Sequence, residues 1–188
     1  MRIAGGEFGG RTIAAPPSGV RPTQDRVREA LFSMLAPVVA GCRFLDLFAG
    51  SGSVGLEALS RGAASATFVD SNHRHLELAR RNAETLLPAE RRFAANFVAA
   101  DAYCWIDAYS GDGFDIGFAD PPYALGEEKG YAAVLAALAA HGVIAPGGVF
   151  AAEMTAAQSA DAADGWELLR DRKYGKTRIC IWRRNQGK

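Results

Sequence analysis

Along the chain, apolar positions fall into two alternating rhythms: short unbroken runs that suit buried strands, and i, i+3, i+4, i+7 spacings that suit helices. The first helical rhythm follows "RPT". Val27, Leu31, Met34 and Leu35 share one face, Thr23 stands where a cap belongs, and Pro37 marks the end. Next, "CRFLDLF" reads as a strand, residues 53–61 as a helix, "SATFVD" as a strand, and "SNHRHLELARRNAETLL" as a helix capped by Ser71 or Asn72. "FAANFVAAD" is a third strand, "AYCWIDAY" a short helix, "FDIGFAD" a fourth strand, and residues 127–140 a helix. "VFAAEM" follows the turn "PGG" as a fifth strand, and the alanine-rich stretch 151–163 is expected to be an ordinary helix or loop. The closing "WELLRDRKYGKTRICIWRR" predicts two strands joined near Gly175.

Strands separated by helix-sized segments imply right-handed βαβ units, hence an α/β fold with a mostly parallel sheet and an antiparallel closing pair. The opening "MRIAGGEFGGRTIAAP" alternates short β-prone pieces around a glycine-rich turn and stops at Pro16 and Pro17. The expected organisation is a hairpin extension over residues 1–22 and a single domain over 23–188.

At 188 residues and 49% apolar, the chain supports one substantial core. It holds no run of 18 apolar residues, and "MRIAGGEFGG" lacks the apolar stretch of a signal peptide, so a cytoplasmic protein without a membrane partner is expected. Cys42, Cys104 and Cys180 show no ligand spacing, which predicts reduced, buried thiols and no metal site. Lys plus Arg equals Asp plus Glu at 21 each, but the charges are segregated. Residues 1–28 carry five Arg against two acids and residues 165–188 carry eight basic groups against two acids, leaving 8 basic and 17 acidic groups between them. Basic ends on an acidic body suit a polyanion held at one edge.

The stretch "DLFAGSGSVGLEAL" contains G-x-G-x-x-G at Gly50, Gly52 and Gly55, which suits either a dinucleotide pyrophosphate or adenosylmethionine. In open α/β sheets the ligand lies beyond the carboxyl ends of the strands, and here Asp46, Asp70, Asp101 and Asp120 stand at or near those ends. Asp70 serves a ribose diol in either case. Asp46 favours adenosylmethionine, because a carboxylate four residues before Gly50 would repel a pyrophosphate but suits a cationic amine and sulfonium. Asp101 is placed to accept from an adenine amino group.

"DPPY", Asp120 to Tyr123, follows the fourth strand directly. Pro121 and Pro122 have fixed φ and no N–H, so the loop is stiff and offers acceptors without competing donors. Asp120 and the Pro121 carbonyl can each take one hydrogen of an exocyclic NH₂ while Tyr123 stacks on the ring that carries it. Such an amine conjugates its lone pair into the ring and attacks only when held in a geometry that frees it.

"DLFAGSGSVGLEALSRGA" and "DPPY" resemble motifs I and IV of the Rossmann-like amino-methyltransferases. With "MRIAGGEFGGRTI", "RPTQDRVREALFSML" and the ending "YGKTRICIWRR", nearly the whole chain resembles the RsmD-like family, which methylates N2 of a guanine in small-subunit (16S) ribosomal RNA. The resemblance implies a Rossmann-like methyltransferase fold with a mostly parallel seven-stranded sheet. It implies S-adenosylmethionine as cofactor, S-adenosylhomocysteine as product, and small-subunit rRNA or the assembling subunit as partner. It gives Asp46, Gly50 and Gly52 to the methionine end, Asp70 to the ribose and Asp101 to adenine, with Phe48, Ser51, Ser71, Ala102 and Asp120 beside them. Asp120, Pro121, Pro122 and Tyr123 go to the target amine. Some relatives carry Phe in place of Tyr123, and either ring can stack. The resemblance implies that Arg21, Thr23, Asp25, Arg26 and Arg28 border the active-site mouth, meeting cofactor carboxylate or RNA phosphate. Lys173 and Lys176, with Arg178, Arg183 and Arg184, read either as a phosphate-contacting fringe or as the charged face of an outer strand.

Three other functions use parts of the same pattern. An adenine-N6 or cytosine-N4 DNA methyltransferase would share the tetrapeptide, but no separate target-recognition region is visible in the chain. A silent RNA-binding assembly factor would not need acids at four strand ends, and an NAD oxidoreductase conflicts with Asp46. His73, His75, His141, Trp105, Trp166 and Trp182 have no chemical partner in the sequence and are assigned to packing. A monomer is expected.

Overall fold

A computed structural model describes residues 1–15, 25–121, 123–160 and 163–186, and for residues 123–130 it describes the backbone alone. The chain divides into two compact units, Met1–Ala102 and Tyr103–Lys188.

The first unit begins with a hairpin held by the Arg2–Thr12 bridge and by bonds from Ile3 N to Arg11 O and from Gly10 N to Ile3 O. Then come α1 (Asp25–Val39), β1 (Arg43–Leu47), α2 (Ser53–Ser60), β2 (Ser65–Asp70), α3 (His73–Leu86), a 3₁₀ turn (Ala89–Ala94) and β3 (Ala95–Ala99). β1 pairs with β2 and β2 with β3, all parallel, in registers ending at Leu47↔Val69 and Asp70↔Ala99. The unbroken apolar runs become strands because both faces are covered: Phe44, Leu45, Phe68 and Val69 are completely buried. α3 is amphipathic and buries Leu76, Ala79, Ala83 and Leu86 on one stripe, with Asn72 capping it by accepting from Arg74 N at 2.9 Å. At its other end Arg11 donates to Thr85 O and Leu86 O, and Arg92 to Glu84 O, so arginines from elsewhere satisfy its last carbonyls. All eight residues of α2 are buried, since the N-terminal hairpin packs on a helix already backed by the strands.

The second unit holds most of α4 (Ala102–Asp107), then β4 (Phe114–Ala119), α5 (Tyr123–Ala140), β5 (Ile144–Thr155), β6 (Trp166–Tyr174) and β7 (Thr177–Arg184). β4 and β5 are parallel, while β7 runs antiparallel to both β5 and β6. The strands run in the order β3-β2-β1 in the first unit and β4-β5-β7-β6 in the second, seven strands of an α/β fold, mostly parallel, with an antiparallel C-terminal pair. No described helix is long and apolar enough to cross a membrane.

Several expectations need correction. Pro37 lies inside the last turn of α1, and the chain turns only at Gly41, whose φ is 76°. α5 starts at Tyr123 rather than about Glu127, so the tyrosine of the tetrapeptide already belongs to the helix. "PGG" lies within β5: Phe114 pairs with Ile144 and Ile116 already with Val149, so residues 145–148 bulge out of the pairing, and Gly147 takes a φ of 80°. Residues 151–155 of the alanine-rich stretch belong to β5, because their alanines fill both covered faces of a strand. β3 is shorter than "FAANFVAAD", and Phe93 sits in the 3₁₀ turn. Cys42 and Cys180 are buried, but Cys104 is exposed on α4.

Candidate functional site

The glycine turn joins β1 to α2 through a run of left-handed residues: Phe48 at φ 60°, Gly50 at 55° and Gly52 at 77°. Phe48 is the only described non-glycine residue with positive φ, an unfavourable conformation for a bulky side chain that the surrounding turn must enforce. A Cβ on Gly50 would meet nothing nearer than Phe48 O at 3.9 Å, so the space above that glycine is open. The third glycine does something else. A Cβ on Gly55 would lie 2.3 Å from Phe68 Cε1, so Gly55 lets α2 press on β2.

Two carboxylates already occupy N–H groups of this turn. Asp46, 2% exposed, accepts from Gly55 N at 2.8 Å, and Asp70, 8% exposed, accepts from Gly50 N at 2.8 Å. Asp70 Oδ1 also accepts from Asn72 N at 2.8 Å. An anionic ligand would find acids where a phosphate loop offers free donors, whereas a cationic ligand bearing hydroxyls would find acceptors. Ser51 is buried, and its carbonyl accepts from Asn82 Nδ2 at 2.9 Å, which ties the turn to α3. Ala100 N donates to Asp70 O, so Asp101 lies just beyond the end of β3 beside Asp70 and is exposed, with Ala102 buried behind it and Ser71 exposed.

His75 joins this group, contrary to its assignment to packing. Its Nδ1 lies 3.4 Å from Asp70 Oδ2 and its Nε2 3.4 Å from Asn72 Nδ2. A carboxylate only accepts and an amide nitrogen only donates, so the neutral tautomer with the proton on Nδ1 satisfies both contacts. The signal available in sequence was position: five residues past an acid that ends a strand, a side chain on the first turn of the next helix lies back over that acid.

The RNA-contact expectation for Arg28 is corrected by its burial. Its side chain is 0% exposed and held by Asp25 at 2.9 Å, Glu57 at 3.4 Å and the carbonyl of Arg2. Glu57 is equally buried and also accepts from Ala4 N, Gly5 N and Arg61 Nε at 2.7–2.8 Å, so this pair fastens the hairpin and α1 to α2. Arg26 is exposed on α1. Arg21 and Thr23 lie outside the described residues.

In the second unit Asp120 and Pro121, both half-buried, directly follow β4. Pro122 lies outside the described residues, and Tyr123 is described only as the first residue of α5. Tyr131, two turns along α5, is buried and donates to Glu153 O at 3.0 Å. Burial, and then the nearby Asp120 carboxylate, push its phenol well above the usual tyrosine range. Lys173 and Lys176 are exposed on the β6–β7 hairpin, whereas Arg178 is engaged with Asp171 and Arg184 with the carbonyls of Ala139 and Ile144. Among the described residues no group of three or more His, Cys, Asp or Glu could hold a metal.

Residues 1–183 match the family model described as "Conserved hypothetical protein 95". The chain is 43% identical over 127 residues to the Ribosomal RNA small subunit methyltransferase D of Escherichia coli, covering 67% of this chain and 62% of that protein, less than two thirds of its length. It is 34% identical to the Putative rRNA methyltransferase YlbH of Bacillus subtilis over 98% of this chain and 99% of that one. Among solved structures, the "Putative methyltransferase yhhF" of Escherichia coli superposes with a TM-score of 0.85 at 33% identity, covering 100% of this chain and 99% of the other.

Proposed function

The chain belongs to the family described as Conserved hypothetical protein 95, that of the RsmD-like rRNA methyltransferases, and from that premise we propose that it methylates the exocyclic N2 amine of a guanine in small-subunit ribosomal RNA with S-adenosylmethionine as donor. One observation carries the choice of cofactor: the turn N–H groups that would hold a pyrophosphate are filled by Asp46 and Asp70. The donor set therefore fits a cationic, phosphate-free nucleoside. When bound, that cofactor supplies an electrophilic methyl group on a sulfonium.

Asp70 accepts from the ribose hydroxyls with the lone pairs that Gly50 N and Asn72 N leave open, and Asp101 accepts from the adenine amino group. Asp46 holds the turn in shape through Gly55 N and adds negative potential beside the methionine end, with Gly50 and Gly52 allowing close approach. Asp120 and the Pro121 carbonyl take the two hydrogens of the target amine, which withdraws its lone pair from conjugation. Asp120 also receives the proton that the amine must lose. Tyr123 stacks on the extruded base. Arg26, Lys173 and Lys176 meet RNA phosphates, and the partner is the rRNA itself or the assembling small subunit, met by a cytoplasmic monomer.

The test is transfer of label from S-adenosylmethionine to RNA and to ribosomal particles from a methylation-deficient strain, followed by mapping of the labelled base. Asp120→Ala should lose on the order of 10²-fold or more in rate while binding the cofactor nearly as well. Full activity in that variant refutes the mechanism, and equal loss of binding and turnover moves Asp120 into the cofactor site. A labelled adenine or cytosine refutes the guanine assignment.

A further inference from the structure

Several described arginines are consumed internally. Arg28, Arg61, Arg91 and Arg178 pair with carboxylates, and Arg11 and Arg184 donate to the carbonyls that end helices. Four other cations of the β6–β7 hairpin are different. Arg170, Arg172, Lys173 and Lys176 are all exposed, and among the described residues none of the four has a carboxylate within ion-pair distance. The guanidinium groups of Arg170 and Arg172 reach only neighbouring backbone carbonyls, Leu169 O at 2.7 Å and Asp171 O at 3.1 Å. In a chain with zero net charge, four exposed cations thus fall within seven residues without an ion pair among the described residues, Lys173 having only a longer-range attraction to Asp171.

Strand register turns this cluster into a stripe. The pairs Arg170↔Ile181, Arg172↔Ile179 and Tyr174↔Thr177 put Arg170, Arg172 and Tyr174 on one face of β6, the outer strand of the unit, about 6.7 Å apart. Tyr174 is 37% exposed, large and apolar at a strand end. Thr177 also pairs with Thr155, so the tyrosine stands level with the carboxyl end of β5. That is the end at which β4 runs into Asp120 and Pro121, three strand spacings or about 14 Å across the sheet.

We propose that this edge binds a single-stranded RNA segment flanking the target nucleotide, with Arg170 and Arg172 on successive phosphates and Tyr174 stacked on an unpaired base. The inference rests on the reading of the chain as an rRNA methyltransferase and adds a surface that positions the substrate. Lys173 and Lys176 contribute attraction at longer range. A single strand fits because only an unstacked base offers its face to an aromatic ring, while regularly spaced cations track a backbone. The competing account is that charge on β6 keeps another sheet from pairing with an open edge.

Two signatures separate these accounts, measured with the full chain and a fluorescent single-stranded fragment of small-subunit rRNA across a salt series. Arg170→Ala/Arg172→Ala should lower the slope of log affinity against log salt by about 1.4, since each phosphate contact on a single strand contributes about 0.7. Tyr174→Ala should weaken binding roughly 5- to 150-fold at an unchanged slope, with Tyr174→Trp restoring it. S-adenosylmethionine affinity and melting temperature should stay at wild-type values in all three variants. Normal RNA binding by wild type with unchanged slope and affinity in the variants overturns this inference alone. Variants that self-associate while binding RNA normally also overturn it, in favour of edge protection. A wild-type protein that binds S-adenosylmethionine but neither binds nor methylates RNA overturns the parent reading as well.

Discussion

Glu57→Ala should be among the most damaging single substitutions outside the active-site residues. Its buried carboxylate accepts from Ala4 N, Gly5 N, Arg28 Nε and Arg61 Nε. Truncation leaves two N–H groups without an acceptor and Arg28 with Asp25, 62% exposed, as its nearest counter-charge. Breaking a buried ion pair from one side costs about 3–5 kcal/mol, because the other charge stays buried. Domains of this kind are stable by about 5–15 kcal/mol in total. At about 2–4 °C per kcal/mol for a chain of this length, the melting temperature should fall by about 6–20 °C. Arg28→Met should cost less, since Glu57 keeps Arg61 and the two backbone donors. The double variant should cost less than the sum of the two, as expected when both members of a pair are removed. Urea unfolding of the three variants gives the energies, and the salt slope of RNA binding is measured on the same samples. A loss below about 1 kcal/mol in Glu57→Ala would refute the structural assignment of this pair. So would an Arg28→Met variant of normal stability and reduced salt slope, which would return Arg28 to the RNA.

Two other predictions test the glycine turn. Gly55→Ala should destabilise by about 1–3 kcal/mol, because its Cβ would fall 2.3 Å from Phe68 Cε1, and Phe68→Leu should recover part of the loss; an unaffected unfolding midpoint would refute the packing role of Gly55. Asp70→Ala should weaken S-adenosylmethionine binding about 10- to 100-fold by calorimetry, and His75→Ala about 2- to 10-fold, with His75→Asn restoring a donor near Nδ1. In the Asp70→Ala background His75→Ala should have no further effect, and an additive loss would show that His75 acts without Asp70.

The elements legible from sequence were those whose signal is local. "SATFVD" becomes β2 over Ser65–Asp70, and residues 53–61 contain α2, because the periodicity of burial is written within each segment. The bounds of α5 and β5 are not legible in the sequence, because residues 145–148 form a bulge where a loop is expected and α5 begins four residues before its periodic segment. The acids Asp46 and Asp70 could be recognised from their distance to the glycines. Their occupation of Gly55 N and Gly50 N could not, because it depends on how tightly the turn folds back.

Charge pairing marks the boundary most clearly. The sequence alone determined which side chains carry charge, which acids end strands, and that the basic groups collect toward the two ends of the chain. On a helix, Arg26 and Arg28 look alike. Only the folded chain brings Glu57, 29 residues on, and the carbonyl of Arg2 against Arg28, taking it out of solvent while Arg26 stays exposed. The same folding commits Arg11 to the end of α3, 75 residues away, and leaves Arg170 and Arg172 uncommitted on the outer strand. Whether a cation serves the fold or a ligand depends on which partners lie within a few ångströms, and those distances are set by packing between segments far apart in the chain.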